Sequence, residues 1–109
     1  MERLVSQIER SFADVEQELA DPAVLNDHQR LAEVGRTHRR LQTAHELARR
    51  WRAASQTVQD AEQGLESESD PEVRAYLIEE LEASKLEVPA LEEELRIAML
   101  EHDPADDRN

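Results

Sequence analysis

The sequence predicts an all-α protein built as an elongated antiparallel three-helix coiled-coil bundle. Along three segments, apolar residues recur at alternating spacings of three and four, which is the period of a coiled-coil seam. The 109 residues include only two glycines, which leaves little material for β-turns. Charged residues make up 36% of the chain and aromatic residues 3%. That balance favours long amphipathic helices with narrow seams over a thick globular core.

The first helix is predicted at about residues 2–20. Its seam consists of Val5, Ile8, Phe12, Val15 and Leu19. The pair Asp21-Pro22 follows, and proline disfavours helix in the residue before it. The helix should therefore end ahead of this pair, and residues 22–25 should form a short irregular connection.

The second helix is predicted at about residues 26–65, with Asn26 or Asp27 as its N-cap. About 40 residues at 1.5 Å per residue give a length of ~60 Å, which suggests a coiled-coil hairpin. Gly64 and the polar run 66–69 are expected to end it. Its predicted seam is Leu31, Val34, Leu41, Ala44, Ala48, Trp51, Ser55, Val58, Glu62 and Leu65.

The third helix is predicted at about residues 70–100, with Asp70 as its cap and Pro71 in the first position. Pro89 lies inside it and cannot donate a hydrogen bond to the carbonyl of Lys85, so we expect a kink or a short break within 85–89. The helical domain is thus expected to span 1–101, with 102–109 as a linker. The seam is Leu77, Leu81, Ser84, Val88, Leu91, Leu95 and Ala98.

The net charge of −13 is unevenly distributed. Residues 30–52 carry seven arginines and two glutamates and form a basic island, whereas residues 1–29 and 53–109 are acidic. The acidic total argues against non-specific binding of nucleic acid by the whole chain. The candidate contacts for RNA or a protein partner are the arginines on the side of the second helix away from its seam. They are Arg36, Arg39, Arg40 and Arg50. Alternatively, these arginines only solubilise the helix or pair with neighbouring acidic helices.

No catalytic, metal-binding or cofactor-binding constellation emerges, and the chain is predicted not to be an enzyme. No two histidines have the spacing of four that places metal ligands on one helix face, and cysteine is absent. His38 and His45 are expected to pack at the edge of the seam, and Trp51 to anchor the core. No continuous apolar segment suits a signal peptide or a membrane span, so we predict a cytoplasmic protein.

Three stretches carry a resemblance to a known family: Leu19-Ala20-Asp21-Pro22, Asp70-Pro71-Glu72-Val73-Arg74, and the tail from His102 to Asn109. The chain resembles the N-terminal helical domain of bacterial peptide chain release factor 1, a class I release factor. In that family the tail leads into a codon-reading domain. The resemblance implies a domain that positions a UAA/UAG-reading termination factor on the ribosome. Its implied partners are the stalk base of the large subunit, with its RNA and protein, and the GTPase release factor.

The two activities of that family have no counterpart in this sequence. No two glycines adjoin, so the hydrolytic Gly-Gly-Gln is absent, and no proline begins the codon-reading Pro-x-Thr motif. The chain is therefore expected to be a non-catalytic piece of a longer factor. One alternative is a free-standing coiled-coil adaptor for a partner helix, and self-association is also possible. A tRNA-binding arm of an aminoacyl-tRNA synthetase is disfavoured, because the third helix is strongly acidic.

Overall fold

The computed structural model describes residues 1–101, and its regular structure is helical. The helices are α1 (Glu2–Leu19), α2 (Pro22–Leu25), α3 (His28–Ser67) and α4 (Pro71–Glu101). No strand occurs in residues 1–101, and the predicted all-α class is confirmed. The tail from His102 to Asn109, which carries part of the family resemblance, lies outside the described residues.

Aspartate side chains cap the helices that follow the first one. The Oδ1 atoms of Asp21, Asp27 and Asp70 each accept a backbone N–H two or three residues ahead, at 3.0, 3.2 and 2.9 Å. These bonds satisfy amide groups that a helix start leaves without partners. The prediction of an irregular 22–25 segment was wrong, because Asp21 caps it and Pro22 has a φ already suited to the first helical position.

The two glycines have different surroundings, and neither ends a helix. α3 continues past Gly64 and ends at Ser67, within the polar run 66–69 that was expected to end it together with Gly64. A Cβ atom added to Gly64 would lie 3.0 Å from Cδ1 of Leu77, whereas one added to Gly35 would meet nothing within 4 Å. Gly64 therefore permits the close approach of Leu77 on α4, and Gly35 marks no such approach.

A side chain from α4 completes the end of α3. The Nη1 atom of Arg74 donates to the carbonyl oxygens of Leu65 and Glu68, at 2.7 and 2.8 Å. The last carbonyls of a helix have no partners within it, so a guanidinium that bonds to them stabilises the terminus. This contact explains why the helix ends beyond the glycine, next to the turn into α4.

α4 runs unbroken from Pro71 to Glu101 with Pro89 inside it. The predicted break within 85–89 was therefore wrong, while the kink remains a prediction. Proline removes only one hydrogen bond from the ladder. The turns on either side remain held, because Ser84 and Leu91 are both buried.

The chain divides into two compact units. The first unit comprises Met1–Ala48 and the chain from Leu95 onward, and the second comprises Arg49–Glu94. In the first unit, α1 and α2 pack against the first half of α3. A buried valine cluster lies there, with three leucines packed against it: Val15, Val24, Val34, Leu19, Leu31 and Leu41.

In the second unit, the later half of α3 pairs antiparallel with α4. Gly64 lies beside Leu77, and farther from the turn Trp51 bonds to Glu92. The buried residues are Trp51, Ala54, Ala61, Ser84 and Leu91. Ala54 and Ala61 are buried although the predicted seam did not include them. Glu62 belonged to the predicted seam but is exposed. The alanines are buried because their small side chains allow the two helices to pack closely. Glu62 is exposed because burial would remove the hydration of its carboxylate.

Candidate nucleic-acid interface

Three of the four predicted arginines meet on one face of α3, in the first unit. Arg36, Arg39 and Arg40, with Thr43, line a shallow, open depression on the surface of this helix. Spacings of three and four place their side chains on the same side of the helix. We call this feature the arginine groove. Arg50 is exposed but belongs to the second unit and does not line it.

Two guanidinium groups of the arginine groove are available to a ligand. Arg36 and Arg39 are exposed and have no hydrogen bond or ion pair within residues 1–101. Pairing with neighbouring acidic helices, the alternative considered above, is thus not observed for these two residues. Each guanidinium offers five N–H donors in a planar fork that matches phosphate and carboxylate oxygens.

The third guanidinium is held in place by a threonine. Nη2 of Arg40 donates to Oγ1 of Thr37 at 3.1 Å, and the Thr37 hydroxyl donates to the backbone carbonyl of Glu33 at 3.1 Å. Arg40 is also less exposed than Arg36 and Arg39. Thr37 was not among the predicted site residues, although its position three residues before Arg40 places the two on one helix face.

The histidines near the arginine groove have a packing role. The Phe12 ring stacks on His45 at 3.9 Å and on His38 at 5.0 Å between ring centroids, so it lies against both imidazoles. Nε2 of His38 also lies 3.8 Å from Oε1 of Glu16 on α1. These contacts join α1 to the part of α3 that carries the arginine groove. Within residues 1–101, no group of three or more His, Asp or Glu side chains could hold a metal ion.

Two further polar contacts lie in the second unit. The Trp51 indole N–H donates to Oε2 of Glu92 at 3.0 Å, which fits the predicted core anchor. On α4, a hydrogen bond to Glu80 and the charge of that carboxylate raise the pKa of the exposed Tyr76 above its usual value. The first contact joins α3 to α4, and the second lies within α4.

The arginine groove concentrates positive charge, although the chain as a whole is acidic. Three guanidinium groups on one helical face can each contact a different oxygen of a phosphate or carboxylate ligand. The net charge of −13 opposes indiscriminate attraction of nucleic acid. This combination suits recognition of one site on a polyanion. No helix in the described part of the chain is long and apolar enough to cross a membrane.

Comparison with known proteins places the chain in a family. The model of the PCRF domain matches residues 8–109. Peptide chain release factor 1 of Maridesulfovibrio salexigens is 38% identical over 105 residues, covering 96% of this chain and 29% of that protein. For peptide chain release factor 1 of Bacillus subtilis the identity is 33% over 109 residues, covering 100% of this chain and 30% of that protein.

The chain spans about 30% of the length of these relatives. No solved structure matches. The relatives confirm the resemblance to peptide chain release factor 1, and the match over residues 8–109 shows that this chain belongs to the PCRF domain family.

Proposed function

We propose that this chain is the ribosome-docking domain of a UAA/UAG-reading peptide chain release factor and acts in the cytoplasm. Two findings support the proposal: membership of the PCRF domain family, and relatives named peptide chain release factor 1 that match over the whole chain. The domain positions the full-length factor on the terminating ribosome. It has no catalytic step of its own.

The observation that carries the docking role is the arginine groove. Arg36 and Arg39 have no partner in residues 1–101, and Thr37 holds Arg40 beside them. Each guanidinium presents a planar fork of donors that matches RNA phosphate oxygens, and the bond to Thr37 already restricts the side chain of Arg40. In the full-length factor, the proposed target is RNA and protein at the stalk base of the large subunit. The GTPase release factor is a second proposed partner, on the family resemblance alone.

The proposed lack of catalysis rests on the sequence. Gly-Gly-Gln and Pro-x-Thr are absent from the 109 residues. Without them, this chain should neither recognise a stop codon nor hydrolyse the peptidyl-tRNA ester. Adding the chain to a termination complex should therefore release no peptide, as measured with a labelled nascent peptide. Release that depends on a stop codon would contradict the proposal.

The docking role can be tested by binding the chain to purified ribosomes over a series of salt concentrations. A double variant, Arg36→Glu with Arg40→Glu, reverses two charges in the arginine groove. The matched control, Arg3→Glu with Arg10→Glu, makes the same charge change at two exposed positions of α1. Each lost phosphate contact should reduce the slope of log affinity against log salt by roughly 0.7–0.9. We expect the groove variant to bind at least about tenfold more weakly than the control at low salt.

Melting curves of both variants should remain close to that of the parent chain, because Arg3, Arg10 and Arg36 are exposed and Arg40→Glu removes only a partly buried contact with Thr37. Equal ribosome affinity for the groove variant and the control would contradict docking through the arginine groove. Binding of the parent chain that does not change with salt would contradict it as well. Either result would favour the free-standing adaptor, which needs no phosphate contact.

A further inference from the structure

Gly35 lies in the interior of α3, which runs unbroken from His28 to Ser67. A glycine inside a helix makes it less stable than an alanine would, because glycine has more conformational freedom to lose on folding. Its φ is not positive, so the backbone at this position accepts an ordinary side chain. The conformation of the helix therefore does not require a glycine here.

Packing within residues 1–101 does not require this glycine either. Apart from its chain neighbours and the backbone of its own helix, a Cβ atom at Gly35 would have no heavy atom within 4 Å. The side chain of Arg39, one turn further along α3, also stays outside that distance. Beside Gly35 there is thus a space that the described part of the chain leaves open.

The open space at Gly35 lies at the edge of the arginine groove. Arg36 follows Gly35 directly, and Arg39 lies four residues further on, so it shares the side of the helix with Gly35. Both arginines are exposed and have no hydrogen bond or ion pair within residues 1–101. Long side chains on a helix lean toward its N-terminus. A ligand bound by Arg39 is therefore brought toward the turn that contains Gly35.

We propose that Gly35 is a specificity-determining residue of the arginine groove, where its bare backbone lets the sugar–phosphate chain of RNA lie against α3. Glycine permits the closest approach of a ligand to a protein backbone. At that distance the guanidinium groups of Arg36 and Arg39 reach the phosphate oxygens. A side chain at position 35 would hold the RNA away from the helix and lengthen these charge-assisted hydrogen bonds.

Charge and polarity at the arginine groove favour RNA over a protein surface. Every residue that lines the groove is polar, and three of the four are arginines. The centre of a protein interface is depleted in charged residues, whereas phosphates that repeat along a chain match neighbouring guanidinium groups. The role of Gly35 rests on the proposed docking through this groove, and it adds how closely the RNA approaches the helix.

Two substitutions fill the open space to different extents. Gly35→Ala adds one methyl group, and Gly35→Gln adds a longer uncharged side chain. The matched control, Ala53→Gln, places the same glutamine at an exposed position of α3 in the second unit. For each variant of the 109-residue chain, binding to purified ribosomes is measured over a series of salt concentrations. Urea titration followed by circular dichroism gives the equilibrium constant for folding.

Stability and ribosome binding should change in opposite directions at Gly35. Gly35→Ala should raise the equilibrium constant for folding about fivefold, because alanine is the better helix former. It should bind ribosomes about threefold more weakly, and Gly35→Gln at least about tenfold more weakly, as expected for a lost hydrogen bond to a charged group. Gly35→Gln should also reduce the slope of log affinity against log salt by roughly 0.7–0.9, the value for one phosphate contact. The affinity of Ala53→Gln should stay within about twofold of the parent chain.

The role of Gly35 is overturned if Gly35→Gln binds ribosomes as tightly as Ala53→Gln. It is also overturned if Gly35→Gln weakens binding without a change in the salt slope, because a protein surface would then contact this position. Weak binding by Arg36→Glu with Arg40→Glu, together with parent-like binding by both Gly35 variants, would refute the role of Gly35 alone and leave the docking proposal intact. Equal affinity of that groove variant and its control would remove docking through the groove, and the role of Gly35 with it.

Discussion

Replacing Leu91 with alanine should destabilise the domain far more than the same change at Leu86. Both leucines are on α4, five residues apart, so the change in helix propensity is the same at each. They differ in burial, because Leu91 is 1% exposed and Leu86 is 76% exposed. The comparison therefore isolates the contribution of burying a leucine side chain.

The expected magnitude follows from the carbon atoms removed. Leucine exceeds alanine by three carbon groups, and burial contributes about 0.8 kcal/mol for each, or roughly 2.4 kcal/mol in total. The cavity left behind adds to this, so Leu91→Ala should lower the free energy of unfolding by about 2–5 kcal/mol. Leu86→Ala should change it by less than about 0.5 kcal/mol. For Leu41→Ala, at a half-buried position, the loss in free energy of unfolding should lie between these two values.

Urea titration followed by far-ultraviolet circular dichroism gives these free energies, provided that unfolding is two-state. Sedimentation of each variant controls for self-association, which would add a concentration-dependent contribution. The reasoning would be refuted if the losses for Leu91→Ala and Leu86→Ala differed by less than about 1 kcal/mol. Such a result would mean that the burial of Leu91 contributes little to folding.

Three other perturbations test individual contacts. Glu92→Ala should lower the free energy of unfolding by about 1–3 kcal/mol and shift the fluorescence of Trp51, because the indole N–H loses its acceptor. Glu92→Gln keeps an acceptor oxygen, so its stability and its Trp51 fluorescence should lie close to those of the parent chain. Pro89→Ala should raise the unfolding midpoint in urea, since it restores one helical hydrogen bond, and a lower midpoint would show that packing requires the proline. In an ultraviolet titration, the pKa of Tyr76, the one tyrosine, should lie above its usual value. Glu80→Gln should lower that pKa by removing the negative charge, and an unchanged pKa would contradict the assigned cause.

Much of the fold could be predicted from the sequence because its determinants are local. The periodic apolar residues of α1 identify its buried face, where Val5, Ile8 and Val15 lie. Aspartates ahead of the later helices cap them through bonds that span two or three residues. The basic island on α3 was also visible as a run of arginines. Each of these features depends on the spacing of residues along one helix.

The tertiary structure decided where distant residues meet. Trp51 bonds to Glu92, which is 41 positions away in the chain. The approach of Leu77 gives Gly64 a packing role, although the sequence suggested a helix end there. The sequence also placed Glu62 in the α3 seam, whereas its neighbour Ala61 is the buried residue. The choice between neighbouring positions depends on which side chains the facing helix can accommodate.

The candidate site was likewise only partly determined by the sequence. Helical spacing alone places Arg36, Arg39 and Arg40 on one face. Whether they have acidic partners depends on how α1 and α3 pack, and within residues 1–101 Arg36 and Arg39 have none. Arg50 shares their charge but belongs to the other unit. Thus the sequence determined the periodicity, the helix caps and the charge of each face, which are local properties. The tertiary structure decided which charges remain available, because that depends on contacts between residues far apart in the chain.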